Sequence, residues 1–236
     1  MKKSIKAIVV EGADGLGKST QLNRIKMKLE SQGVNTHSTR LLGGDKTCNF
    51  QLALREVLLH DKFPKDSIEL EEQLFAMTDL EGIKIARKYL EENEGIVLKD
   101  RGVLSHICYA MAKGMTLAQV AEVHKNVIKE EELLNQDFGV LNIVMVPDNV
   151  AWPLERIKKR ALETGESIVE RLENLDTQEQ VANFLRMAPG FDILRNLSFE
   201  IIEVSEDDSI LEVEEKIQNV LKKYDISVIN PVVKEA

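Results

Sequence analysis

Residues 9–29, VVEGADGLGKSTQLNRIKMKL, constrain the fold of this chain more than any other stretch. Gly12, Gly17, Lys18 and Ser19 satisfy the spacing G-x-x-x-x-G-K-[ST]. In that spacing glycines let the backbone wrap so that successive N–H groups point inward. The lysine reaches the β and γ phosphates of a nucleotide, and the hydroxyl takes a place on Mg2+. The flanks are those the loop requires: SIKAIVVEG (4–12) is a β-branched run ended by glycine, and Leu22, Ile25 and Leu29 follow at helical spacing. Strand, glycine loop and helix imply a bound nucleoside triphosphate with Mg2+. The loop comprises Gly12, Ala13, Asp14, Gly15, Leu16, Gly17, Lys18, Ser19 and Thr20. Phosphate binding alone does not explain the carboxylate of Asp14 within it.

Alternation of strand and helix patterns continues along the chain. Strands are expected at 34–40, 95–100, 138–147 and 198–205. Helices are expected at 48–61, 66–95, 103–113, 116–136, 177–188 and 209–224, and at 149–166 with its start near Pro153. This pattern predicts an α/β fold of three layers, a central and mostly parallel five-stranded sheet flanked by helices, plus a small lid. The expected organisation is one domain over 1–224, with the lid at about 160–176 and a tail at 225–236.

The chain has 236 residues, with 31 Lys+Arg against 40 Asp+Glu and a formal net charge of −9. That balance repels a long polyanion, so no nucleic-acid polymer is expected as partner and any phosphate must be held in a local pocket. Cys48 and Cys108 lie far apart, which suggests neither a disulfide framework nor a zinc site and fits a reducing cytoplasm. No apolar run approaches the ~20 residues that span a bilayer, so no membrane partner is expected. His37, His60, His106 and His124 lack ligand spacing and read as surface or core residues.

The phosphate loop does not choose among kinases, switch GTPases, motors and partition ATPases. There is no N-K-x-D guanine reader and no L-S-G-G-Q segment. IVLKDRGVLSHICYA (96–110) places Asp100 and Arg101 at the carboxyl end of a predicted buried strand, the edge where open α/β sheets bind ligands. Asp100 could hold Mg2+ directly or through water, and Arg101 offers a planar fork for a phosphate. Loop first and D-R second narrows the field to small phosphotransferases.

These segments resemble the thymidylate kinases within the nucleoside monophosphate kinases. The first is similar to that family's E-G-x-D-x-x-G-K-[ST]-T-Q opening, and KDRGVLSHICYA (99–110) to its D-R-[YH]-x-x-S-x-x-A-[YF] segment. Looser likeness joins STRLLGGDKTCNFQLALREVLLHD (38–61) to its T-R-E-P-G-G segment, and 154–187 to its lid and the helix after it. The resemblance implies phosphoryl transfer from ATP to a deoxynucleoside monophosphate. It places Lys18 and the loop amides on the ATP phosphates, Ser19 and Asp100 on Mg2+, and Arg101 toward the transferring phosphoryl. Arg40 would bind the acceptor phosphate and Phe75 would stack on its base, with Ser105 and Tyr109 beside it. Asp14 would accept from the 3′-hydroxyl of the acceptor sugar. Arg160 and Arg171 would close from the lid, chosen among Arg156, Lys158, Lys159, Arg160 and Arg171. The family also commonly forms homodimers.

Four departures bear on the acceptor. Asp79 stands where the family usually has an arginine that reads a thymine carbonyl; it would either face the pocket and suit an amine or ring N–H, or turn to solvent. Gly102 replaces an aromatic or histidine, removing one wall. Leu41 and Leu42 replace Glu-Pro, and FLRMAPGF (184–191) replaces a more charged segment. Two alternatives stay open: a deoxynucleoside kinase using Glu11 as base, and a P-loop ATPase binding switch.

Overall fold

The computed structural model describes residues 4–40, 49–59, 67–164 and 174–226. Strand β1 (Ala7–Gly12) runs into helix α1 (Lys18–Ser31), then β2 (Asn35–Arg40), α2 (Asn49–Leu59) and α3 (Ile68–Glu92). There follow β3 (Gly95–Asp100), α4 (Val103–Ala112), α5 (Leu117–Phe138), β4 (Val140–Pro147), α6 (Ala151–Thr164), α7 (Leu175–Met187), β5 (Ser198–Val204) and α8 (Ile210–Lys223). Leu41, Leu42, Cys48, His60 and Arg171 lie outside the described residues, as do 165–173 of the expected lid and most of the expected tail.

The five strands are ordered β2-β3-β1-β4-β5, and every pairing is parallel. Every residue of β1, β3 and β4 is buried, as central parallel strands require, whereas edge strands β2 and β5 are partly exposed. Successive residues of a strand face opposite sides of the sheet. Val9, Val97 and Val144 therefore pack under α3, α4, α5 and α7, while Ile8, Val10, Leu98 and Ile143 pack under α1 and α8. Leu22, Ile25 and Leu29 seat α1 in that second layer, each burial stabilising by about 1.5–3 kcal/mol.

Local chemistry sets the boundaries. Thr116 and Gln119 form a capping box that starts α5, and Ser209 and Glu212 start α8 the same way. Helix α6 begins at Ala151, two residues before Pro153. Proline fits there because first-turn N–H groups have no intrahelical partner. Asn149 Oδ1 accepts from the Ala151 N–H at 2.9 Å, and Trp152 Nε1 donates to Asp148 Oδ1 at 2.9 Å.

The strand order reverses beside β1, so the chain leaves β1 and β3 on opposite sides of a crevice at their carboxyl ends. Register brings the sequence-distant residues to one level. Asp100 lies opposite both Val10 and Arg40, and the Arg101 N–H donates to Val10 O at 3.0 Å.

Candidate active site

At this edge a cavity of about 250 Å3 is lined by the phosphate loop, Arg40, Asp100, Arg101, Arg156 and Arg160. Asp14, Gly15, Gly17, Lys18, Ser19 and Thr20 form the loop's share, while Ala13 and Leu16 turn their side chains into the core and can offer only backbone. Gly15 has φ +80, and a Cβ there would lie 2.5 Å from Pro153 O. Only glycine lets the loop pass so close under the start of α6.

Lys18 Nζ donates to Ala13 O at 2.6 Å and stands 3.9 Å from Asp14 Oδ1. Burial, and Arg101 beside it, bring its pKa down to about 8, with Asp14 and Asp100 opposing. Ser19 Oγ donates to Asp100 Oδ2 at 2.7 Å, and Arg40 Nε is 3.8 Å from the same oxygen. A hydroxyl and a carboxylate side by side at the foot of the phosphate loop are hard oxygen donors, the type Mg2+ takes.

Asp14 sits at the centre of a second cluster. Arg101 pairs with its Oδ1, and Tyr109 O–H donates to its Oδ2 at 2.6 Å. Burial works against the charge, but Arg101, Lys18 and Tyr109 hold the carboxyl well below the usual carboxylate range. Arg101, held at φ 69, also donates to Gly12 O at 2.8 Å and Ser105 Oγ at 3.1 Å. Two of its five N–H donors remain beyond these three bonds. Gln178, which sequence reasoning missed, accepts from the Asp14 N–H at 3.3 Å and donates to the Tyr109 hydroxyl at 3.2 Å.

Glu11, the base of the nucleoside-kinase alternative, is fully buried. One carboxyl oxygen accepts from the Gly102 N–H at 2.9 Å and the other from Ser105 O–H. Burial raises its pKa, although Ser105 and Gly102 pull it down. A Cβ at Gly102 would lie 3.0 Å from Glu11 Oε1 and 3.2 Å from Val9 Cγ1. The missing side chain would thus point into the interior. Its loss lets Glu11 approach the backbone instead of opening a wall of the cavity.

Phe75 and Asp79 do not line this cavity and belong to a buried line of charges. Asp79 faces neither solvent nor the cavity: it is wholly buried, with His106 Nε2 at 3.0 Å and Lys99 Nζ at 3.6 Å. Lys99 also donates to Glu131 at 2.6 Å. Burial opposes the Lys99 charge, but Glu131 and Asp79 raise its pKa. His106 lies 4.8 Å from the Phe75 ring, and Lys113 Nζ is 5.4 Å from that ring's centroid, held by Glu71 and Glu72 at 3.1 and 3.0 Å. His124 stacks on His106 at 5.6 Å and faces Glu72 at 3.3 Å. Two of the four histidines are thus core residues inside this charged line. His37 stacks on Tyr89 at 4.9 Å.

Arg160 lines the cavity. So does Arg156, whose guanidinium lies 4.8 Å over the Trp152 ring, a cation–π seat that Trp152 and its i+4 neighbour could have signalled. Gln178, Lys99 and Glu131 carry no such local signal, since their partners come from other elements.

The family model for thymidylate kinase matches residues 10–217. A thymidylate kinase of Campylobacter fetus is 28% identical over 88% of this chain and 96% of its own length. One from Caldicellulosiruptor saccharolyticus is 26% identical over 92% and 95%. A solved thymidylate kinase structure from Candida albicans superposes with a TM-score of 0.67 at 20% identity, covering 97% of this chain and 96% of that one, a likeness of fold.

Proposed function

The chain belongs to the thymidylate kinase family of nucleoside monophosphate kinases, and on that premise we propose that it transfers the γ-phosphoryl of ATP to a deoxynucleoside monophosphate, thymidine monophosphate or a close relative. The observation that carries this reading is the pairing of Asp14 with Arg101. It joins the acid of the phosphate loop to the arginine at the end of β3, so one site has a donor side and an acceptor side.

The acceptor oxygen belongs to a monophosphate already ionised near neutral pH, so no general base is needed. The protein's task is to bring two anions into line and neutralise the developing charge. Lys18 and the loop amides hold the donor phosphates. Arg101 has two donors left for the transferring phosphoryl, and Arg160, with Arg171 from the segment that follows, closes the site and excludes water. Arg40 takes the acceptor phosphate, and Asp14 with Tyr109 and Ser105 takes its sugar side. Ser19 and Asp100 would hold Mg2+, which when bound would supply positive charge against that of the donor phosphates.

Both oxygens of Glu11 are engaged with Gly102 and Ser105. That disfavours the nucleoside-kinase alternative, which needs a base within reach of a substrate hydroxyl. Asp79 is committed to His106 and Lys99, which removes the reason to give it base selection. Phe75 is kept as the ring for the acceptor base, while Tyr109 is the ring already bonded to Asp14. Among the described residues no helix is long and apolar enough to cross a membrane, and a cytoplasmic enzyme fits the nucleotide chemistry. A homodimer is supported by the exposed apolar residues Phe50, Val57, Leu70 and Met77 of α2 and α3.

An ADP-release assay run with each natural deoxynucleoside and ribonucleoside monophosphate tests the reading. Turnover with thymidine monophosphate or a related deoxynucleotide is expected. ADP release that ignores every monophosphate favours the binding switch.

A further inference from the structure

Helix α7 reaches the phosphate loop through the side chain of Gln178, which is 2% exposed. The Asp14 backbone N–H can only donate, so the amide oxygen must face it. The amide NH2 then faces Tyr109, and Tyr109 must send its own proton onward to Asp14 Oδ2 at 2.6 Å. One glutamine thereby fixes the direction of every bond in the ring Asp14, Gln178, Tyr109. Asn174 caps α7 one turn earlier, through the Thr177 N–H at 2.9 Å. Gln178 is thus locked to the first turn of the helix that follows the lid segment.

We infer that Gln178 is a positioning residue for the acceptor side. It holds Tyr109 as a donor to Asp14 and ties Asp14's backbone to α7, so that the carboxylate presents a fixed lone pair to a sugar hydroxyl. This rests on the proposed reading that Asp14 accepts from the acceptor's 3′-hydroxyl. Gln178 acts through Asp14 and Tyr109 and does not itself touch the donor nucleotide. A donor to the Tyr109 oxygen also polarises its O–H, strengthening the bond to Asp14. An acid at this position would do the opposite. It could only accept, would compete for Tyr109's proton, and would place a second buried charge beside Asp14.

The test is steady-state kinetics of the full chain with ATP and two acceptors, thymidine monophosphate and its 3′-deoxy analogue. Gln178→Met keeps the packing and removes the hydrogen bonds to Asp14 and Tyr109; Gln178→Glu is the second variant, and urea midpoints report folding for each. Gln178→Met is expected to raise the KM for thymidine monophosphate about tenfold while that for ATP stays within about twofold. It should also lower the preference for the 3′-hydroxyl by about tenfold and add little further loss in an Asp14→Asn background. Gln178→Glu should move the acid limb of the kcat/KM profile for the acceptor to higher pH. Equal rises in both KM values, or an unchanged preference for the 3′-hydroxyl with an unmoved acid limb, would overturn the inference and leave Gln178 a helix-seating residue. A wild type without acceptor-dependent turnover overturns the acceptor reading and this inference together, which distinguishes that failure from the first.

Discussion

Lys18 is a cation of the site whose pKa is brought down toward neutral pH. Its pKa of about 8 reflects burial and the neighbouring Arg101, and its role on the donor phosphates requires the charged form. The kcat/KM for ATP, which reports groups of the free enzyme, should therefore fall as pH rises through about 8. The unfolded lysine keeps its proton to about 10.5, so between these values the unfolded chain binds more protons and this group's contribution to stability rises with pH. Lys18→Ala should lower turnover by at least about a thousandfold with the urea midpoint little changed, and near-normal turnover would refute the loop's role. Gly102→Ala belongs at the same scale. Its Cβ meets Glu11 Oε1 at 3.0 Å and Val9 at 3.2 Å, and such crowding should cost about 1–3 kcal/mol in urea unfolding. Loop residues were legible in the sequence because phosphate binding uses consecutive amides and a neighbouring lysine. Asp79 was not, because its fate depends on Lys99 of β3 and His106 of α4. No spacing within α3 encodes those partners.

At the scale of elements, β3 is tied to α3 and α5 by charge as well as by packing, through Lys99 between Asp79 and Glu131. Removing the cation leaves Glu131 buried without its partner and Asp79 with His106 alone. Lys99→Met should therefore destabilise by about 3–5 kcal/mol, while the triple change Lys99→Met, Asp79→Asn, Glu131→Gln should recover most of that loss. An equal loss in both proteins would mean that Lys99 matters only for packing. The strands were readable because central parallel strands are buried on both faces and read as continuous apolar runs. In the structure the capping pairs Thr116–Gln119 and Ser209–Glu212 fix the starts of α5 and α8 locally. Lys99 breaks that apolar code in the middle of VLKDR. Only the cross-element view explains why a lysine is tolerated there.

For the whole molecule, strand order and register decide where the chemistry sits. Arg40, Asp100 and the end of β1 share one level, so three segments far apart in sequence converge at the crevice beside β1. The sequence implied this edge through loop and D-R order, but not Gln178, which arrives from α7 by way of tertiary packing. If the outer face of α2 and α3 joins two copies, sedimentation velocity should give twice the chain mass, and Leu70→Lys with Met77→Lys should return a monomer that still folds. A monomer at every concentration would remove that assembly.

The most direct test of a nucleoside monophosphate kinase built on this site follows labelled γ-phosphoryl from ATP. Label is expected in a deoxynucleoside diphosphate, formed only when the monophosphate is present and lost in Asp14→Asn and Arg101→Ala. Label released to water at the same rate with or without a monophosphate, or appearing on the hydroxyl of a nucleoside, would contradict it.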